Sequence, residues 1–323
     1  MNILLTGSVA YDYIMKFPGY FREHILPEHL GSISLSFLVE SMVRQRGGIA
    51  PNIGYTLALL GERPRLWAAV GEDFEEYRQW LESVGIDASG ARVIPGVFTA
   101  SFFANFDQAN AQIASFYPGA MAFASQLSLY ELQANPPDLV VISPNDPSAM
   151  HQYVRECKEL GIPYIYDPSQ QIIRLSADEL RAGLSGALAL FVNEYEFALI
   201  EKISGLNAEA ISSAVGFVVI TRGKQGTSIV TQTGSFEVPI FPERAVVDPT
   251  GVGDAFRGGF LKGYGMGLDW ETCGQMGALA ATYCLEQSGT QGHQYTPQEF
   301  VVRFREYFDD QGKLDSLINS RIE

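Results

Sequence analysis

The sequence predicts an α/β protein built on a doubly wound parallel sheet flanked by helices. Three observations predict it. Short, uniformly apolar runs recur at residues 3–6, 66–70, 139–142, 164–166, 189–192 and 217–221, each closed by a turn residue. Segments with helical spacing, such as 51–60, 75–84, 149–160 and 194–200, separate most of them. Strands buried on both faces read as continuous apolar runs, and their alternation with helices implies right-handed crossovers. Finally, 323 residues at 46% hydrophobic and 18% charged can bury a full core and are too apolar for disorder.

Taken in order, the opening Met-Asn-Ile-Leu-Leu-Thr-Gly reads as a strand and turn, with no basic segment before an apolar block, so no signal peptide is expected. Two stretches break the α/β rhythm. Residues 14–42 are rich in Phe and Pro, and residues 97–117 carry period-two apolar positions on either side of a polar connection at 107–112. They read as antiparallel strands inserted into the frame, forming a small second sheet able to serve as a lid. From Trp270 the chain reads as mostly helical, through 277–285 and 297–308, to a polar tail. No repeat or linker interrupts it, so residues 1–323 are expected to form one domain with lid segments at about 14–42 and 97–117.

Charge narrows the function. Twenty-two Lys+Arg against 37 Asp+Glu leave −15, which speaks against a nucleic-acid or polybasic membrane-surface protein. No apolar stretch approaches the roughly 18 residues of a membrane span. Three cysteines, Cys157, Cys273 and Cys284, have no metal-like spacing and suggest a reducing compartment; the expected location is the cytoplasm. His24, His29, His151 and His293 are scattered without partner spacing and are expected at the surface.

One string carries chemistry. Asp248-Pro-Thr-Gly-Val-Gly-Asp254-Ala-Phe-Arg-Gly-Gly-Phe follows an apolar run and opens a helical segment. Glycines at 251 and 253 let the backbone turn tightly and present N–H groups at a helix N-terminus, a natural place for anionic oxygens. Asp254 in the first turn can take the proton of an alcohol attacking a phosphoryl group, with the amides of Gly251, Val252 and Gly253 stabilising the transferring charge. Gly258 and Gly259 would let this helix pack closely. Arg257, one turn on, reads either as a phosphate contact or as a solvated helix residue.

The string resembles the second signature of the ribokinase, or PfkB, family of carbohydrate and nucleoside kinases. Four more segments resemble family motifs in the same order: Gly7-Ser-Val-Ala-Tyr-Asp12, Gly47-Gly48-Ile-Ala-Pro-Asn52, Asn193-Glu-Tyr-Glu196 and Thr221-Arg-Gly223-Lys-Gln-Gly226. The resemblance spans essentially the whole chain and implies a ribokinase-like doubly wound sheet with a small β-sheet lid. It further implies ATP as phosphoryl donor, Mg2+ beside the phosphates, and a monovalent cation such as K+ at the loop pair 248–250 and 289–291, with Asp248 nearby. Where ribokinases commonly carry an asparagine two residues before the first aspartate, this chain has Ala10. Strings such as Phe17-Pro-Gly-Tyr-Phe21, Leu35-Ser-Phe-Leu-Val39, Ile113-Ala-Ser-Phe-Tyr-Pro-Gly-Ala120, Asp167-Pro-Ser-Gln-Gln171 and Leu285-Glu-Gln-Ser-Gly-Thr-Gln291 are similar to bacterial adenosine kinases of the family.

The resemblance assigns the remaining residues. Asp12, after a strand and a Gly-Ser turn, would accept two ribose hydroxyls, or it forms a local turn. Asn52 bonds a hydroxyl or caps a helix. Phe102 and Phe116, on the lid strands, sandwich a purine or belong to a core. Ser8, Ser36 and Gly48 come with the same pocket, and Gln170, Gln171 and Arg174 follow a strand whose loop faces the crevice. Asn193, Thr221, Gly223 and Gly226 would hold the nucleotide. Glu196 would approach Mg2+ through water, although Asn193 and Glu196 equally read as a helix cap and its first-turn acid. The expected function is ATP-dependent phosphorylation of the adenosine 5′-hydroxyl to give AMP, in a homodimer joined through the lids. A sugar kinase of the same fold and a catalytically silent binding protein are the competing readings.

Overall fold

The computed structural model describes residues 1–32 and 34–319. In chain order, β1 (Ile3–Thr6) runs through Gly7 into β2 (Ala10–Lys16), and β3 (Ser41–Gly47) meets α1 (Ile49–Leu59) at Gly48. Then come β4 (Arg65–Val70), α2 (Glu75–Ser83), β5 (Ala91–Val93), β6 (Ala100–Phe106) and β7 (Gln112–Tyr117). A second run holds β8 (Leu139–Ile142), α3 (Pro147–Leu160), β9 (Tyr164–Tyr166), α4 (Ala177–Leu184), β10 (Ala189–Asn193), α5 (Glu194–Ser204) and α6 (Ala208–Ala214). The chain closes with β11 (Phe217–Thr221), β12 (Thr227–Thr231), β13 (Gly234–Val238), α7 (Val252–Gly265), α8 (Trp270–Leu285), α9 (Pro297–Phe304) and α10 (Asp315–Asn319).

Nine strands form the large sheet in the order β13-β12-β11-β10-β9-β8-β1-β4-β5. Seven of them run parallel: six are the predicted apolar runs, and the seventh is the short β5, which the runs do not include; β12 and β13 are an antiparallel hairpin, likewise unanticipated by the sequence reading. Their alternating, half-exposed pattern belongs to an edge and lacks the continuous apolar signal of a buried strand. Alternation splits the core onto both faces. Ile3 and Leu5 pack with Ile53 of α1, Leu81 of α2 and Phe260 of α7, whereas Leu4 packs with Tyr153 of α3 and Leu180 of α4. Helix α7 lies wedged against α1 and α8 as its glycines allow. A Cβ on Gly258 would sit 2.6 Å from Thr56 Cβ, and one on Gly259 would sit 2.5 Å from the Met276 carbonyl oxygen. The expected helix at 297–308 stops at Phe304, and the polar tail beyond it carries α10.

The second sheet is four-stranded, β3-β2-β6-β7. Its outer pairs are antiparallel, as expected, but its central pair β2–β6 is parallel, and the described residues between 17 and 40 contribute no strand. Gln45, Asp12, Phe102 and Phe116 stand directly opposite one another across the four strands, which puts them on one face. Asp12 is thus a mid-strand residue and not part of a turn. Among the described residues no helix is long and apolar enough to cross a membrane.

Candidate active site

Two clefts meet at the N-terminus of α7. The first, about 450 Å³, lies between the second sheet and the large one and is lined by Ser8, Ala10, Asp12, Gly48, Asn52, Phe102, Phe116 and Gln170, with Asn193, Glu196, Gly251 and Asp254 at its inner end. The second, about 420 Å³, is bounded by Gly223, Gly226, Val252, Phe256 and the α8 face at Ala278 and Thr282. Thr221 and Gly253 line both. The helix N-terminus is therefore the partition between them.

Gly251 forms that N-cap with φ +81° and ψ −2°, a left-handed conformation that glycine adopts without strain. The turn leaves the amides of Val252, Gly253 and Asp254 without intrahelical acceptors, so they and the helix dipole favour negative charge at the junction. Thr290 presses on the outside of the turn; a Cβ on Gly251 would lie 2.9 Å from its side chain. The Asp248 carboxylate locks the two loops together, accepting from Thr250 N at 2.9 Å and from Gly289 N at 3.0 Å. Against the cost of partial burial, these amides hold its pKa below the usual aspartate value. With each oxygen accepting one of these amides, Asp248 ties the loop pair together.

Asp254 sits in the first turn of α7 with its side chain 13% exposed. Burial pushes its pKa up to about 7; the Arg257 charge and the Asn52 hydrogen bond pull against that rise, and Asp167 and Glu196 add to it. Asn52 Nδ2 donates to Asp254 Oδ2 at 2.9 Å, and Arg257 Nη1 lies 3.9 Å from Oδ1. Asn52 lies within α1 and does not cap it, because Gly48 occupies that position. Arg257 is neither solvated nor free: its Nη2 donates to Asp167 Oδ1 at 2.5 Å, and Asp167 is fully buried.

At the other end of the first cleft, the Asp12 carboxylate makes no hydrogen bond to the protein among the described residues. Burial, with the Asp248 charge, pushes its pKa up to about 6. Such a carboxylate lacks donors and is relieved by accepting a ligand's hydroxyls. Ser8 Oγ accepts from Ile49 N at 3.2 Å and so serves the start of α1 as well as the cleft wall. Asn193 and Glu196 form a reciprocal capping box on α5, the bland reading of that pair, while both still line the cleft. Glu196 Oε1 also accepts from Ser169 Oγ at 3.0 Å. No group of three or more His, Cys, Asp or Glu side chains able to hold a metal occurs among the described residues. This donor set fits a divalent ion that arrives with phosphate oxygens and meets Glu196 through water.

Several expected positions lie elsewhere. Ser36 is exposed on the segment between β2 and β3, and Arg174 is exposed and donates to Gln171 Oε1 at 3.4 Å; neither these two nor Gln171, itself buried, lines a cleft. His293 is fully buried, with Nε2 3.3 Å from Thr56 Oγ1, and burial lowers its pKa to about 4. The other histidines are exposed. Sequence reasoning missed Ser169 on the first cleft and the apolar wall of the second, because these are loop or helix-face residues without a chemical signature; Thr250 and Thr290, from the two loops expected to hold a cation, line the first cleft as well.

Comparison with known proteins agrees with this geometry. Residues 7–297 match the pfkB family carbohydrate kinase model. A nucleoside kinase of Methanothermobacter thermautotrophicus is 31% identical over 306 residues, covering 94% of this chain and 95% of its own. A solved nucleoside kinase of Burkholderia thailandensis in complex with inosine superposes with a TM-score of 0.85 at 34% identity, covering 95% of this chain and 98% of that one. The same enzyme in complex with ADP-inosine gives a TM-score of 0.82 at 36% identity, covering 95% of this chain and 96% of that one. The fold is ribokinase-like, a large mixed α/β sheet flanked by helices. The chain belongs to the pfkB family of carbohydrate and nucleoside kinases.

Proposed function

We propose that this chain is an ATP-dependent nucleoside kinase that phosphorylates the 5′-hydroxyl of adenosine to give AMP. One observation carries the reading: a buried carboxylate, Asp254, faces one cleft from the helix N-terminus that separates it from a second. The acceptor nucleoside occupies the cleft of Asp12 and Phe102, and the nucleotide lies in the cleft of Gly223 and Gly226, with its phosphates toward Gly253. Asp12 accepts the ribose hydroxyls. Asp254 accepts the proton of the 5′-hydroxyl as its oxygen forms a bond to the γ-phosphorus, and the bond from that phosphorus to the bridging oxygen breaks to release ADP. The amides at Gly251–Gly253 stabilise the charge on the transferring group without reorganising. Mg2+ bound with the phosphates supplies further neutralisation.

A nucleoside is favoured over a free sugar by the row Asp12–Phe102–Phe116, which sets two aromatic rings beside the hydroxyl-binding carboxylate. Stacking on them suits a flat base. Full-length relatives named as nucleoside kinases support the same choice. A coupled ADP assay with adenosine, inosine, cytidine and ribose tests it. Turnover of adenosine well above the rest is expected; ribose as the best acceptor overturns the nucleoside reading, and no turnover at all supports a silent binding protein. Phe116→Ala should weaken adenosine binding by about 1–3 kcal/mol, the usual worth of a base–aromatic stack. Ribose phosphorylation should change far less, and equal losses for both acceptors would mean a collapsed sheet.

We further infer a homodimer through the face of the second sheet that points away from the cleft. Alternation places Tyr13, Met42, Phe103, Ile113 and Tyr117 there, and Met42 is 61% exposed. Tyr13 and Phe103 stack at 4.8 Å and present a flat aromatic surface. An exposed apolar sheet face of this kind invites a second copy. A chain of 35.5 kDa should therefore scatter light as a species of about twice that mass, and Phe103→Lys should give monomers. A single chain at micromolar concentration rejects the dimer and leaves the kinase reading intact.

A further inference from the structure

The hydrogen bond from Asn52 to Asp254 ends a longer chain whose direction is set far from the cleft. Asn52 Oδ1 accepts from Gln291 Nε2 at 3.0 Å. The same Nε2 donates to the Tyr77 hydroxyl at 2.5 Å, and Gln291 Oε1 accepts from Trp80 Nε1 at 3.0 Å. Tyr77 in turn donates its proton to the Gly47 carbonyl at 3.0 Å. Tyr77 is fully buried, Asn52 is 4% exposed, and the Arg46 guanidinium covers the Trp80 ring at 4.8 Å.

Side-chain amides can present either end to a neighbour, so their orientation must be fixed by groups that cannot reverse. An indole N–H only donates, and the atom of Gln291 facing it must be oxygen. The Tyr77 hydroxyl, with its proton committed to a backbone carbonyl, can only accept, and the atom facing it must be nitrogen. Both demands select the same orientation of Gln291. Its nitrogen then requires oxygen from Asn52, which leaves Nδ2 of Asn52 for Asp254. We infer that Gln291 is a positioning residue for phosphoryl transfer, carrying the donor direction of the Trp80 indole to Asn52 and so turning the Asn52 N–H toward Asp254. The inference rests on the proposed role of Asp254 as proton acceptor.

Without Gln291, the Asn52 amide is free to reverse and set its oxygen against the carboxylate. An ionised Asp254 would lose a donor and gain a repulsive neighbour, so the base would stay protonated to higher pH. The other charged or titratable groups facing Asp254 are Arg257 on α7, Asp167 after β9, Glu196 on α5 and the buried Cys284 thiol on α8. None of them hydrogen-bonds to Gln291, so a shift on replacing Gln291 reports the Asn52 orientation.

The test is the pH profile of kcat/KM for adenosine in Gln291→Met and Trp80→Phe, both neutral replacements. In Gln291→Met the acid limb should move up by about half to one pH unit, and kcat near neutral pH should fall by roughly threefold to tenfold. Trp80→Phe, which leaves Gln291 in place but free to turn, should move the limb the same way by less. If Gln291→Met fails to fold, Trp80→Phe decides alone. Folded variants whose KM and kcat change while the acid limb stays put would show that Gln291 only packs the loop. Asp254→Asn separates the two failures: an active variant overturns the base assignment, whereas an inactive one beside unmoved acid limbs overturns the positioning role alone.

Discussion

Asp254→Asn is expected to lower kcat by about 10²- to 10⁴-fold, the usual cost of losing a general base, while adenosine affinity stays within a few-fold. The amide keeps the volume and can still meet Asn52, but it cannot accept the proton of the attacking hydroxyl. The same substitution should stabilise the fold in a pH-dependent way. Because burial raises the folded pKa of Asp254 from an ordinary 3.8 to about 7, the native state holds a proton that the unfolded chain releases. Stability is therefore lost as pH rises from about 4 through about 7, and the full penalty of the ionised carboxylate is present at pH 8. A neutral asparagine escapes it. Asp254→Asn should melt roughly 2–4 °C higher than the parent at pH 8, with a smaller gain at pH 5. Retention of more than a tenth of the parent turnover would reject the base assignment, and a melting temperature lower at pH 8 than at pH 5 relative to the parent would reject the electrostatic account.

Gly251→Ala is expected to cost about 10²- to 10³-fold in kcat, the scale of a damaged oxyanion-type site. Two strains act together. An alanine must hold φ +81°, and its Cβ would lie 2.9 Å from Thr290. Either the N-cap turn unwinds or the 289–291 loop retreats, and in both cases the amides at the partition lose their common aim. Gly267, between α7 and α8, has φ +71° and nothing within 4 Å of an added Cβ. Gly267→Ala therefore carries the backbone strain without the contact. It should lower the melting temperature and leave kcat near the parent value. Equal activity losses in the two variants would mean that general destabilisation, and not the geometry of the partition, explains Gly251.

The reach of sequence reading here depended on whether a residue's surroundings are local. Six of the seven parallel strands are legible because a strand buried on both faces must be apolar throughout; β5, three residues at the sheet edge, carries no such run. The helix after Gly251 was legible because the N-cap glycine, first-turn acid and packing glycines lie within one short string. The β12–β13 hairpin escaped because an edge that is half exposed spreads its signal over alternate residues. The burial of His293 escapes a local reading because Tyr55 and Thr56, which meet it, lie more than 230 positions away in the chain. Asp12 followed an apparent turn, yet pairing with β3 and β6 draws it into a strand.

By itself, the sequence determined the α/β class, the doubly wound frame and the segment that opens α7, since each is encoded by periodicity or by contiguous turn chemistry. Tertiary structure alone decided which of the candidate residues share a cleft. Ser8, Asp12, Phe102, Phe116 and Asp254 converge there, whereas Ser36, Gln171 and Arg174 do not. It also decided what each group experiences. Asn52 and Asp254 are 202 positions apart and Gln291 and Asn52 are 239 apart. The raised pKa of Asp254 and the direction of its hydrogen bond arise only when α1, α2, α7 and the loop after α8 exclude water together. Burial and hydrogen-bond direction are properties of that assembled neighbourhood, and no local stretch of sequence contains it.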